Sequence, residues 1–182
     1  MRRAIRVAAC GGVLIGLVGL AGGCPGAAPV PIGESETKDY SGFARFQLFG
    51  VRPACAGRVA SAEIRVEGGV YTLTSAVWVR AADAATGLGP CDDPGSLEIG
   101  AEISRALSAD EIAEVKQVFA AVVVQEYDVP MTPLCGEVSF QGVVWDSFSY
   151  AVPATCVNRW GLAPNAMERF GVIEEMILGL RD

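Results

Sequence analysis

The stretch "SAEIRVEGGVYTLTSAVWVR" at residues 61–80 limits the fold more than any other, because apolar and polar residues alternate on both sides of a Gly-Gly pair. Alternation with a period of two puts successive side chains on opposite faces of a strand. Two such runs joined by Gly68-Gly69 form an antiparallel hairpin if the glycines make a two-residue turn. Val66 then faces Tyr71 and Ile64 faces Leu73 on one side, while Glu63 and Arg65 face Thr74 and Thr72 on the other. One side is buried and the other wet, as a half-exposed antiparallel sheet requires.

The rest of the chain extends this pattern. "FARFQLFG", residues 43–50, alternates and carries aromatics, which predicts a first strand. "LEIGAEIS", residues 97–104, alternates Leu97, Ile99, Ala101 and Ile103 against Glu98, Glu102 and Ser104, which predicts another. "SADE" then places Ser108 three residues before Glu111, the spacing of a capping box. Ile112, Val115, Val118, Phe119 and Val122 repeat at helical spacing after it, so an amphipathic helix is expected, and "AAVVV" at residues 120–124 reads as its continuation. "GEVSFQGVVWDSFSYAV", residues 136–152, predicts two strands, with the turn either at Gln141-Gly142 or near Asp146. Pro164 and Asn165 open a last helix, with Met167, Phe170, Ile173, Ile177 and Leu180 on one face and Glu168, Arg169, Glu174 and Glu175 on the other. Strands, helix, strands, helix in that order predict an α+β domain: an antiparallel sheet of about five or six strands with two helices packed on one face.

The N-terminus has a different character. "MRRAIR" supplies three arginines, and residues 7–20 are uncharged and rich in Val, Leu, Ile, Ala and Gly. This is the basic start and short apolar run of an export signal. A permanent span needs about 20 apolar residues, and the run breaks at Gly22, Gly23, Cys24 and Pro25. "LAGGC", ending at Cys24, resembles the lipobox of bacterial lipoproteins, with Ala21 where that motif most often has Leu. The resemblance implies that Cys24 is acylated and becomes the mature N-terminus. With Pro25 rather than Asp after the cysteine, it also implies an outer-membrane location facing the periplasm or the exterior. Residues 1–23 are then the signal, 24–38 a lipid anchor with a Pro/Gly-rich tether, and 39–182 a single domain.

Six cysteines are present. Removing Cys10 with the signal and assigning Cys24 to lipid leaves Cys55, Cys91, Cys135 and Cys156, an even number in an oxidising compartment, so two disulfides are expected. The expected pairing is Cys55 with Cys91 and Cys135 with Cys156, since neither bond then crosses the helix near Ser108. No C-x-x-C pair suggests a redox or zinc site. Loss of Arg2, Arg3 and Arg6 with the signal takes the net charge from −7 to −10. So acidic a surface repels phosphate backbones, which makes nucleic acid a poor partner.

The chain has no histidine, which excludes Ser-His and Cys-His nucleophile pairs. Lys38 lies in the tether and Lys116 on the helix, neither in an S-x-x-K motif. Gly68-Gly69 is explained by its turn rather than by phosphate binding. Among the carboxylates, Asp92-Asp93 occupies a Pro/Gly turn, Glu137 and Asp146 border the second hairpin, and Glu174-Glu175 lies on the wet helix face. No spacing selects a glycosidase pair or a calcium loop. Trp78 and Trp145 sit in strand-like runs where packing is the usual role, and Trp160, among Gly and Pro, is the candidate for exposure. "CGEVSFQGVVWDSFSYAVPATC" is similar to the disulfide-closed hairpin of the Streptomyces subtilisin inhibitor-like proteins, through Cys135, Gly142, Trp145, Ser149, Tyr150 and Cys156. That likeness implies a protease-inhibitor-like binding module as an alternative; a carboxylate-dependent hydrolase is a second. The primary expectation is a lipid-anchored envelope domain that binds or scaffolds without catalysis and without a cofactor. Asp92 and Asp93 are the expected contacts to a basic protein partner.

Overall fold

The computed structural model describes residues 30–50, 55–81, 96–129, 141–152, 159–163 and 166–181. Among them are ten strands: β1 (Val30–Lys38), β2 (Arg45–Phe49), β3 (Val59–Glu67), β4 (Val70–Arg80), β5 (Leu97–Ile99), β6 (Ile103–Ala106), β7 (Val122–Asp128), β8 (Gln141–Trp145), β9 (Phe148–Val152) and β10 (Trp160–Leu162). Two helices, α1 (Ala109–Phe119) and α2 (Ala166–Gly179), complete the α+β architecture. All ten strands belong to one sheet, in the order β1-β7-β10-β9-β8-β2-β3-β4-β5, with β6 also on β4. The sheet is therefore larger than the expected five or six strands, and mixed, because β9 and β10 run parallel while the other pairs are antiparallel.

The hairpin that opened the sequence reading forms in the expected register. Ile64 pairs with Leu73, Val66 with Tyr71, Glu63 with Thr74 and Arg65 with Thr72. Gly68 and Gly69 both have positive φ, 58° and 83°, the left-handed pair that a tight hairpin turn demands and that glycine adopts without steric cost. Ile64 and Leu73 are fully buried.

Several expectations are corrected. Residues 97–104 do not form one strand. The register to β4 shifts by one residue between Ile99 and Ile103, so β5 and β6 are separate segments along the same side of β4, and Ile99 is 60% exposed rather than inward. The helix capped by Ser108 has its capping box but stops at Phe119. Three consecutive β-branched valines favour extended backbone, and Val122 and Val124 are buried as strand residues of β7. Residues 30–38, expected in the tether, form β1 on β7. The second hairpin turns at Asp146-Ser147, where Asp146 takes φ 50° and its Oδ1 accepts the N–H groups of Ala44 and Arg45 at 3.1 and 2.9 Å.

One core joins the parts. Phe46, Leu48, Ile64, Leu73, Val143 and Trp145 from the sheet meet Val115 and Phe119 of α1 and Phe170, Ile173 and Ile177 of α2. The chain leaving β1 crosses to β2 over this core: Tyr40 stacks on Trp145 with centroids 4.8 Å apart, and Phe43 meets Phe119 edge to face at 5.2 Å. Among the described residues, no helix is long and apolar enough to cross a membrane.

Candidate binding surface on the open sheet face

The face of β3 and β4 opposite the core is polar. It carries a cleft of about 500 Å3 lined by Glu63, Arg65, Glu67, Val70, Thr72 and Thr74. Strand alternation puts them there, since each is two residues from the next along β3 or β4. Arg45 and Gln47 of β2 join them because Arg45 pairs with Arg65 and Gln47 with Glu63 across the ladder.

Glu63 is the hub of this surface. It accepts from Arg45 Nε at 2.9 Å, and Arg65 Nε and Nη2 reach the same carboxylate at 3.0 and 2.8 Å. Burial works against its charged form, but the two guanidiniums outweigh that cost and hold its carboxyl below the usual range. Arg65 also reaches Glu67 at 3.5 Å, and Thr74 Oγ1 lies 3.2 Å from Ser104 Oγ on β6. The result is a row of charges paired before any ligand arrives, flanked by hydroxyls. Such a surface recognises polar or charged groups with little side-chain ordering left to complete.

Across the sheet, Tyr40 and Tyr150 hydrogen-bond hydroxyl to hydroxyl inside the aromatic cluster. Burial, with that hydrogen bond, pushes the Tyr150 phenol above its ordinary range. The arrangement closes the core rather than presenting a reactive group.

The residues expected from sequence fall as follows. Cys24, Asp92, Asp93, Cys91, Cys135, Cys156 and Glu137 lie outside the described residues. Cys55 is described and disulfide-bonded. Trp160 begins β10 opposite Glu126 and is 36% exposed. Trp145 is fully buried and Trp78, half-buried, pairs with Ile99. Gly142, Trp145, Ser149 and Tyr150 lie together on the β8–β9 hairpin, with Trp145 and Tyr150 in the core rather than on a presented loop. Glu174 is corrected: it is 3% exposed, not on a wet face. Its Oε1 accepts from Arg58 Nε and Val59 N, both at 2.9 Å. The Arg45–Glu63–Arg65 row was half visible, because alternation placed Glu63 and Arg65 together; Arg45 needed the β2–β3 pairing, which no local pattern announces.

Among the described residues, no group of three acidic or thiol side chains converges as a metal site. No family model, curated protein or solved structure matches the chain.

Proposed function

We propose that this chain is an envelope lipoprotein, acylated at Cys24, whose domain binds a protein partner through the open face of β2, β3 and β4 and performs no catalysis. The observation that carries the reading is the pre-paired row Arg45–Glu63–Arg65 on an uncovered polar sheet face. Two further features support it. Among the described residues, the carboxyls whose affinity for protons is clearly moved, Asp39, Glu63 and Glu111, are moved down, whereas a general acid needs one moved up. The disulfide at Cys55 fits an oxidising compartment, and we assign the pairs as Cys55–Cys91 and Cys135–Cys156.

Asp92 and Asp93, outside the described residues, are the proposed contacts to a basic partner. Pro25 after the lipidated cysteine favours the outer membrane, and the acidic balance disfavours nucleic acid. The test is affinity capture from solubilised envelope with the full chain as bait, beside Arg45→Glu, Arg65→Glu and Asp92→Ala, Asp93→Ala variants. A partner held by the wild type and lost by the arginine variant supports the proposed face. An identical captured set from all three baits overturns it. Peptide mapping without reduction that linked Cys91 to Cys135 would refute the pairing.

A further inference from the structure

A second surface, on the helix side of the molecule, has the opposite character. A groove of about 240 Å3 runs between α1 and α2. Its floor is Val122 of β7, Leu162 of β10 and Ile173 of α2, all buried, and Val118 and the half-exposed Val172 form its sides. Among the described residues, two polar side chains line it, Gln117 and Arg169.

Arg169 stands apart from the other cations of the described residues. Lys38, Arg45, Arg58, Arg65, Arg105 and Arg159 are in ion pairs. Arg181 donates to Ser75, Lys116 lies 5.4 Å from the centre of the Tyr71 ring, and Arg80 is engaged as well. Arg169 has no such partner. In a chain of net charge −7, an exposed, unpaired guanidinium beside an apolar groove offers an anion with a hydrophobic body attraction at both ends.

We propose that this groove binds a single linear acyl chain ending in a carboxylate, the chemistry of a free medium-chain fatty acid. The volume is below the ~300–1,000 Å3 of sites that take drug-sized ligands, which suits a narrow chain of medium length rather than a long chain or a ring system. The apolar floor takes the methylenes. Arg169 offers the planar fork of donors that matches a carboxylate, and the Gln117 amide is a further donor on the groove lining. The inference goes beyond the proposed protein-binding face, uses none of its residues and does not depend on where the chain resides.

The experiment uses the full chain in lysates of expressing cells, with a diazirine-bearing medium-chain fatty acid as the probe and peptide mass spectrometry to locate the photoadduct. Labelling is expected to saturate and to fall within residues 117–122 and 169–173. Free fatty acid of the same length should compete about two- to fivefold better than its methyl ester, the range of an exposed ion pair. Arg169→Glu should lower labelling by the same factor and Arg169→Lys by less, while Val118→Trp should block it by filling the groove. Adducts elsewhere, equal competition by acid and ester, or full labelling of Arg169→Glu each overturn the proposal. Equal competition would mark the groove as a general apolar surface for neutral lipid or peptide. The comparison of acid with ester needs no variant, so it decides even if a substitution impairs folding.

Discussion

Glu174 shows how one side chain can tie a helix to a strand. The α2 carboxylate takes the place of a partner strand at the start of β3, accepting the Val59 N–H and holding Arg58. Replacing it with Gln keeps the shape but removes the charge from two hydrogen bonds. Glu174→Gln should cost about 1.5–3 kcal/mol, read as a lower denaturation midpoint at unchanged m. A change below about 0.5 kcal/mol would place Glu174 among ordinary surface residues. Arg105 plays a comparable part just past the C-terminus of α2. It donates to the Leu180 carbonyl at 2.9 Å and also grips Glu111, the residue of the α1 capping box. Its guanidinium, with the Ser108 N–H and hydroxyl, draws the Glu111 carboxyl down to about 2 from an ordinary 4.5. A folded-state value below the unfolded one means that the unfolded chain binds more protons between these limits. Stability from this group is thus full above about pH 4.5 and lost as pH falls toward 2. Thermal midpoints of the wild type and Glu111→Gln should differ most above pH 4.5 and converge at about pH 2; a constant gap across that range would show that the pairing does not control the titration.

At the level of elements, β1 is the segment that periodicity could not reveal. Eight of its nine residues are exposed and the ninth is half-buried, so neither a period of two nor one of 3.6 appears in "VPIGESETK". What holds it is main-chain pairing with β7 across a bulge, where the register shifts between Ile32 and Glu36. The Gln125 side chain, from a buried position on β7, spans that irregularity by donating to the carbonyls of Ile32 and Gly33 at 2.9 and 3.3 Å. Pro31, the bulge and the charges of Glu34, Glu36 and Lys38 also blunt an edge strand against pairing with other chains. Gln125→Ala should therefore speed amide exchange across residues 30–38 at least several-fold while the β3–β4 hairpin stays protected. Equal exchange in both variants would mean that the bulge holds without Gln125. By contrast, the β3–β4 register, the Ser108 cap and the buried stripe Phe170, Ile173 and Ile177 were legible, because each is a pattern within one turn or one hairpin. The junction of α1 and β7 was misread because Val122 fits both periods, and two short links of helix to strand look the same as one long helix in an apolar run. The strand order was illegible for another reason: β2 lies between β3, its neighbour in sequence, and β8, nearly a hundred residues away. Only packing selects such a partner.

Over the whole molecule, the strand where the described chain begins and the proposed binding face sit at different places along the sheet. The chain enters through β1, at one edge, and the Arg45–Glu63–Arg65 row lies on β2 and β3, six strand intervals away for β3 in the order β1-β7-β10-β9-β8-β2-β3. At about 4.8 Å per interval this is roughly 30 Å along the sheet. A domain held to a membrane by a lipid just ahead of β1 would thus present that row away from its point of attachment, and the charged edge strand would face the lipid. Two outcomes follow for the chain in cells. Cys24→Ser should leave an unacylated precursor that is unprocessed or mislocalised; normal processing and membrane attachment of that variant would end the lipoprotein reading. Thr72 lies in the proposed cleft on β4, opposite Arg65. In the anchored chain, Thr72→Cys should react with a bulky membrane-impermeant maleimide at the rate seen after the domain is released from the membrane by proteolysis. The comparison must use membranes washed free of bound proteins, so that a partner on the face is not mistaken for the bilayer. Slower labelling of the anchored form would place the open face against the membrane, and the binding reading would then have to give way to a scaffold whose polar sheet face meets headgroups.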